Sequence, residues 1–392
     1  MNPREAMSQV ALLRRCVALL ALAALAACSN ADKTDPPAEL VKFESTAKVQ
    51  RIWSAGMGGG GAKLRLGLGV ALEGDTVYAA GHKGEVAAYD VNTGKRLWRT
   101  NTRLALTGGP GVGGGIVVAG ASHGHFVALD AATGKERWRG YITSEILAAP
   151  AINDKYLLLH TVDGRLTAWR TADGTQLWSA EVLAPRLALR GLSSPALDGE
   201  FGVSGFDTGR LMAVAMNNGT TLWDVQVAPP SGRSELERLV DIDAAVKIVD
   251  NDIYAVTYQG KVARVDRDTG QLQWTRDISS YSGLATDEDG LYVTSAEGTV
   301  VKIARRTGIE AWRTDQLSHR RLSPPAVVGP YVVVADLDGY VHFLNAADGT
   351  FAARVKSSGG RVTAPPVVNG NTVVMIDNDG KITALRVTTP GS

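Results

Sequence analysis

Cysteine is almost missing from this chain. The only two, Cys16 and Cys28, fall within the first 28 of 392 residues. If residues 1–27 are removed, a single thiol remains, which excludes a disulfide-stapled scaffold and any internal disulfide chemistry. A surplus of charge is also missing. Lys and Arg number 41 against 40 Asp and Glu, and loss of Arg4, Arg14, Arg15 and Glu5 with the leader would move the net charge from +1 to −1. No basic field is available to gather nucleic acid, so no nucleic-acid partner is expected. Nor is there an apolar run of bilayer length. The longest candidate, Val17 to Ala27, has eleven residues, against the roughly 20 that a spanning helix needs. What is abundant is glycine, 44 residues, beside an apolar fraction of 45%. Such a chain turns often and still buries a large core, which points to an all-β globular protein.

Arg14 and Arg15 precede the short apolar run, which ends Leu25-Ala26-Ala27-Cys28. A basic stretch, a short apolar core and small residues before a cleavage point read as a secretory signal over 1–27. The four closing residues resemble a bacterial lipobox. That resemblance implies a diacylglyceryl group on the Cys28 thiol, cleavage before it and, with Ser29 next, sorting to the outer membrane. Acylation would also cap a lone thiol that an oxidising compartment would otherwise attack. Residues 28–46, with Asp35-Pro36-Pro37, are expected to form the lipidated N-terminus and a polar tether.

Self-similarity dominates the remainder. A Gly, any residue and an apolar residue open a short strand; a turn closing in Gly follows, and Trp comes four residues later. The pattern runs from Gly84 through Thr93-Gly94 to Trp98, from Gly124 through Thr133-Gly134 to Trp138, and from Gly164 through Asp173-Gly174 to Trp178. It returns as Gly209 to Trp223, Gly260 to Trp274 and Gly298 to Trp312. A seventh copy, from Gly339, has Ala353 in place of Trp, and an eighth begins at Gly380 and runs out of chain. Trp53, in Val49 to Trp53, has no repeat start before it and supplies the strand the eighth copy lacks. The expected fold is therefore an all-β, eight-bladed β-propeller of four-stranded blades over 47–388, closed into a ring by its N-terminal strand.

Apolar runs such as Ile116-Val117-Val118 and Tyr331 to Val334 fit strands covered on both faces by neighbouring blades. Trp53, Trp98, Trp138, Trp178, Trp223, Trp274 and Trp312 are expected to dock on the next blade, each indole N–H bonding a loop carbonyl there. The unit resembles the tryptophan-docking repeat of the quinoprotein dehydrogenases, which implies a fold and no activity. Three features imitate enzymes. Gly56 to Lys63 lacks the Gly-Lys-Ser/Thr ending of a phosphate loop. His82, His123 and His125 have no acidic or Cys partners. Asp377-Asn378-Asp379-Gly380 lacks the closing Glu of a calcium loop. No catalytic residue, metal or cofactor is expected. A periplasmic quinoprotein-type dehydrogenase is the alternative, and ligand sensing through the central channel a third possibility.

Function is sought where the repeat is broken. From Trp to the next repeat Gly, regular intervals span 24 to 27 residues, but Trp178 to Gly209 spans 31 and Trp223 to Gly260 spans 37. These are equivalent loops on consecutive blades, so they should lie side by side. One carries Leu187-Ala188-Leu189-Arg190-Gly191 and the other Ser234 to Asp243. Lipobox, tether, eight blades and these two loops together resemble the BamB family, scaffold lipoproteins of the outer-membrane β-barrel assembly (Bam) machinery. The resemblance covers essentially all of 28–388. It implies a non-catalytic scaffold, lipid-anchored in the outer membrane and facing the periplasm, that aids insertion of unfolded outer-membrane protein clients. It further implies binding to the periplasmic (POTRA) domains of the barrel subunit BamA, and through it to the rest of the Bam complex, by Leu187, Leu189, Arg190, Asp241 and Asp243. Reversing charge at Arg190 and Asp241 is expected to abolish that binding and leave the fold intact.

Overall fold

A computed structural model describes residues 35–58, 64, 66–182, 191–357 and 359–388. Cys28, the glycine-rich stretch 59–63, and Leu187, Leu189 and Arg190 lie outside the described residues. Two units are distinguished, Met1–Pro37 and Ala38–Ser392; all that follows concerns the second.

Among the described residues its elements are strands, grouped into eight sheets of antiparallel strands, with one parallel addition, that follow one another along the chain. Blade 1 runs from Val70–Glu73 inside to Arg96–Asn101 outside, and blade 2 from Leu106–Gly113 to Glu136–Tyr141. Blades 3 to 7 end in the outer strands Gln176–Glu181, Thr221–Gln226, Leu272–Asp277, Glu310–Thr314 and Phe351–Lys356. Blade 8 takes three strands from the C-terminal end, Val367–Asn369, Thr372–Ile376 and Lys381–Thr388. Its outer strand is Lys48–Gly56, paired from Lys48↔Thr388 to Gly56↔Lys381. The chain's own beginning thus closes the ring, and the fold is an eight-bladed β-propeller.

Among the described residues the hydrophobic core is accordingly not one mass but a cluster at each of the eight seams, with a small ninth of Leu147, Ala148 and Leu192. Val77 and Tyr89 of blade 1 pack with Val374 and Ile382 of blade 8; Val86 of blade 1 packs with Val117 and Leu129 of blade 2. The pattern repeats around the circle to the seam where Val333 and Phe343 of blade 7 meet Val373 and Leu385 of blade 8. Middle strands such as Tyr331–Ala335 are buried throughout, because each face of a blade is covered by a neighbour.

The indoles close these seams with one repeated geometry. Trp53 Nε1 donates to Val91 O (2.8 Å), Trp98 to Ala131 O (2.8 Å) and Trp138 to Thr171 O (3.1 Å). Trp178, Trp223, Trp274 and Trp312 donate to Met216, Arg267, Arg305 and Ala346 carbonyls at 2.7 to 3.1 Å. Each acceptor opens the outer turn of the next blade, and the glycine ending that turn lies under the ring. At Gly174 (φ +70°) a Cβ would sit 2.6 Å from Trp138. Glycine is therefore required twice there, by the left-handed backbone and by the indole. The turn itself is held by an aspartate: Asp90 accepts from the Asn92 and Thr93 amides and the Thr93 hydroxyl. Asp130 and Asp266 repeat the Thr contacts, and with Arg137 alongside, the Asp130 carboxyl is drawn down to about 2.

Two departures from the expected architecture stand out. Blade 2 has five strands, because Gly67–Leu68 adds in parallel to its inner strand at Gly108 and Gly109. Glycines permit it: a Cβ on Gly67 or Gly108 would collide with the carbonyls of Leu147 or Ile146. The tether expected over 28–46 is also shorter than that, for its last residues lie on the propeller. Ala38 N donates to Ser318 O, and the Thr46 and Ala47 amides both donate to Ala352 O. Arg320 and Arg354 guanidinium groups hold the Ala38 and Val41 carbonyls at 2.9 and 2.8 Å. Phe43 stacks on Phe351 with ring centres 5.1 Å apart, Arg354 lying over both rings. Apolar Leu40 and Phe43 and a buried polar network fix what sequence alone reads as a leash.

Candidate functional site

The two long loops leave the ends of the outer strands of blades 3 and 4, and the structure brings them together. Ser193 Oγ of the first donates to Ala244 O of the second (2.9 Å). Gly191 lies so close to Asp243 that a Cβ there would stand 2.7 Å from its carboxylate. Beneath them His160, wholly buried, approaches Ser193 O at 3.2 Å and Ser204 Oγ at 3.1 Å, its ring edge-on to Phe206. Burial holds the His160 imidazole down at about 4, so it is a neutral post under both loops near pH 7.

The second loop divides into a buried and an exposed half. Leu239, Val240, Ile242 and Ala244 are all buried, with Ile242 N on Phe206 O and Asp241 O accepting from Tyr258 N (2.8 Å). This half is wedged between the turns of blades 4 and 5. Asp241, one of the residues expected to contribute to partner binding, is 0% exposed. Reversing the charge of a side chain so buried would place a cation in the interior and disturb the fold, contrary to the expectation that the fold stays intact. Burial and the neighbouring Asp241 raise the Asp243 carboxyl to about 8 and that of Asp207, on the blade 4 turn, to about 7. Asp207 is a member of this group that the loop sequences gave no reason to include.

The exposed half is a capped turn. Glu237 accepts from the backbone amides of Arg233 (2.6 Å) and Ser234 (3.1 Å), while Ser234 Oγ accepts from the Glu237 amide (3.2 Å). This Ser-x-x-Glu reciprocity is a capping box. It presents Leu236, 65% exposed, among the exposed Glu235 and Arg238. An apolar side chain held outward by a charged frame is the kind of anchor that a partner's pocket receives.

Two of the three enzyme-like features lie among the described residues and resolve into structure. His82 Nδ1 is 2.8 Å from Leu106 O, His123 pairs with Ser122, and His125 packs at a tilt against Tyr141. Asp377 Oδ1 accepts from the Asp379 and Lys381 amides, forming an ordinary hairpin turn. Among the described residues no group of three or more His, Cys, Asp or Glu is placed to hold a metal ion. The ring's centre offers a cavity of about 240 Å³ lined by Lys247, Ser282, Thr286 and paired prolines such as Pro324-Pro325, with Lys247 its one titratable side chain among the described residues.

This geometry has known counterparts. The family model for the outer membrane protein assembly factor BamB matches residues 38–105, 82–314 and 296–390. The Pseudomonas aeruginosa outer membrane protein assembly factor BamB is 45% identical over 345 residues, 88% of this chain and 91% of that protein. The chain belongs to the BamB family. The crystal structure of BamB from Moraxella catarrhalis superposes with a TM-score of 0.78 at 30% identity, over 86% of this chain and all of that one. A quinohemoprotein alcohol dehydrogenase from Comamonas testosteroni superposes at 0.68 with 14% identity, over 86% and 76%. That second likeness concerns the fold alone: a BamB-family ring and a dehydrogenase ring share their blades.

Proposed function

We propose that this chain is a non-catalytic scaffold of the Bam complex, joined to BamA's periplasmic domains by the paired loops of blades 3 and 4. It acts in outer-membrane protein assembly and not as a dehydrogenase. The observation that carries this reading is the union of the two loops through Ser193–Ala244 and Gly191–Asp243, with Leu236 presented beside it. In this reading Leu187, Leu189, Arg190 and Leu236 touch the partner, while Asp241 and Asp243 position the loops from below. Acylated Cys28 holds the propeller at the outer membrane on its periplasmic side, so binding happens at raised local concentration.

The test is recovery of the barrel subunit with the full chain from outer membranes in mild detergent. Arg190→Glu and Leu236→Lys should each reduce recovery at least roughly tenfold, as hot-spot losses do, with tryptophan fluorescence unchanged. Undiminished recovery in both refutes the site. Cys28→Ser should shift the chain from the membrane fraction to the soluble periplasm.

A further inference from the structure

The inner strands of the eight blades line the centre of the ring, and they are nearly free of charge. Among the described residues they carry three charged side chains, Glu73, Asp198 and Lys247. Glu73 and Asp198 end their strands, and Asp198 is held by Arg267. Lys247 begins the inner strand of blade 5, Lys247–Val249, and alone of the three lines the central cavity of about 240 Å³. The rest of that wall belongs to blades 6, 7 and 8, with Leu284 to Thr286, Pro324-Pro325 and Pro365-Pro366. Across the ring, Gly67–Leu68 covers the inner edge of blade 2.

The ammonium in this cavity lacks a counter-charge. Among the described residues no acid pairs with Lys247, and burial alone lowers its affinity for a proton. Its side chain nevertheless reaches solvent, so the water it meets is that of the channel, walled by protein. A cation held in such surroundings without an anion is destabilising. An anion entering from solvent would supply the missing charge.

The donors narrow the kind of anion. Two residues lining the cavity have protons to give: Lys247, and Thr286, whose hydroxyl has no partner among the described residues. Ser282 Oγ already donates to Leu322 O (3.0 Å). Two donors match the two oxygens of a carboxylate, whereas a phosphate or sulfate would keep oxygens without donors. Proline, alanine and valine residues make up much of the remaining wall, which suits an apolar body. A cavity of about 150 Å³ already admits benzene, so this one has room for a ring and its carboxylate.

We propose that the central cavity is a binding site for a small organic carboxylate, its anionic end on Lys247 and Thr286 and its apolar body against the prolines of blades 7 and 8. The site is independent of the scaffold reading.

The probe is sodium benzoate, titrated into the full chain in mild detergent by isothermal titration calorimetry, with neutral benzamide as its control. Benzoate should bind saturably at one site. Benzamide, without the charge that the ammonium holds, should bind at least roughly tenfold more weakly. Lys247→Gln should weaken benzoate by a similar factor and Thr286→Val by a smaller one. Lys95→Gln, on an exposed outer turn, should change nothing. Near-ultraviolet circular dichroism checks that each variant keeps its packing. The proposal is overturned if benzoate does not bind the unaltered chain saturably, or if benzamide binds equally well. It is overturned too if benzoate binding survives Lys247→Gln, is indifferent to Thr286→Val, or falls equally in Lys95→Gln.

Discussion

Seven of the eight seams are sealed by an indole, and the seam from blade 7 to blade 8 is not. Ala353 stands there, 3% exposed, at the place the repeat gives to Trp. The difference has a topological cause. An indole docks on the outer turn of the following blade, and blade 8 has no such turn, because its outer strand comes from the other end of the chain. The repeat drops its tryptophan where there is nothing to receive it. The seam is sealed instead by the incoming segment: Thr46 and Ala47 bonded to Ala352, Phe43 on Phe351, Arg354 over both rings. One kind of seam is bought with a repeated apolar part, the other with contacts made once.

Removing an indole should have the largest effect. Trp274→Ala deletes a buried ring and the bond to Arg305 O, and should cost about 3–5 kcal/mol in urea unfolding. Ala353→Trp is the converse; with no turn to receive it, the added ring should overpack the seam and destabilise by about 1–3 kcal/mol. Gly174→Ala, strained by its φ and blocked by Trp138, should cost about 2 kcal/mol. Gly74→Ala, at φ +55° with open space around it, should cost only about 1. Arg354→Ala should cost about 1 kcal/mol but expose residues 38–47 to protease while the ring stays intact.

Acid should distinguish the two kinds of seam as well. His342 is buried, its Nε2 3.0 Å from Asp336, with Arg354 donating to its Nδ1 at 3.1 Å and Arg320 also on Asp336. Burial first, then the two arginines, lower the imidazole's affinity for a proton against the pull of Asp336. The neutral ring is therefore the folded form. Its contribution is whole above the ordinary histidine value near 6.5 and is lost as pH falls below it. Hydrogen bonds from His342 and Arg320 outweigh burial and lower Asp336 as well, so its share is lost at still lower pH. Protease cleavage within 38–47 should therefore quicken between pH 7 and pH 5, and His342→Gln should remove that dependence.

What could be read from sequence was what the chain says eight times. Gly84 to Gly380 mark the blades and seven tryptophans mark the seams, because each repeat meets the same neighbour under the same constraints. What could not be read is what happens once. Asp241 and Asp243 look like surface charge, since a charged pair in a loop is ordinarily solvated; only the wedge between blades 4 and 5 buries Asp241. The clasp on 38–47 joins residues 282 and 313 positions apart, through arginines that no periodicity singles out. Leu236 was visible as a leucine in a long loop, but its outward pose depends on the Ser234–Glu237 cap.

The chain joins the ring at Ala38, on the loop leading from blade 6 into blade 7. In a circle of eight, that loop stands three places from the loop joining blades 3 and 4 and two from the loop joining blades 4 and 5. A pull delivered through the chain ahead of Ala38 therefore arrives at a different stretch of the ring from the paired loops. Because the circle is closed, that load divides along both arcs and shears many seams at once, where an open array would peel one at a time. Such a ring is built to be held at two separate places without unzipping.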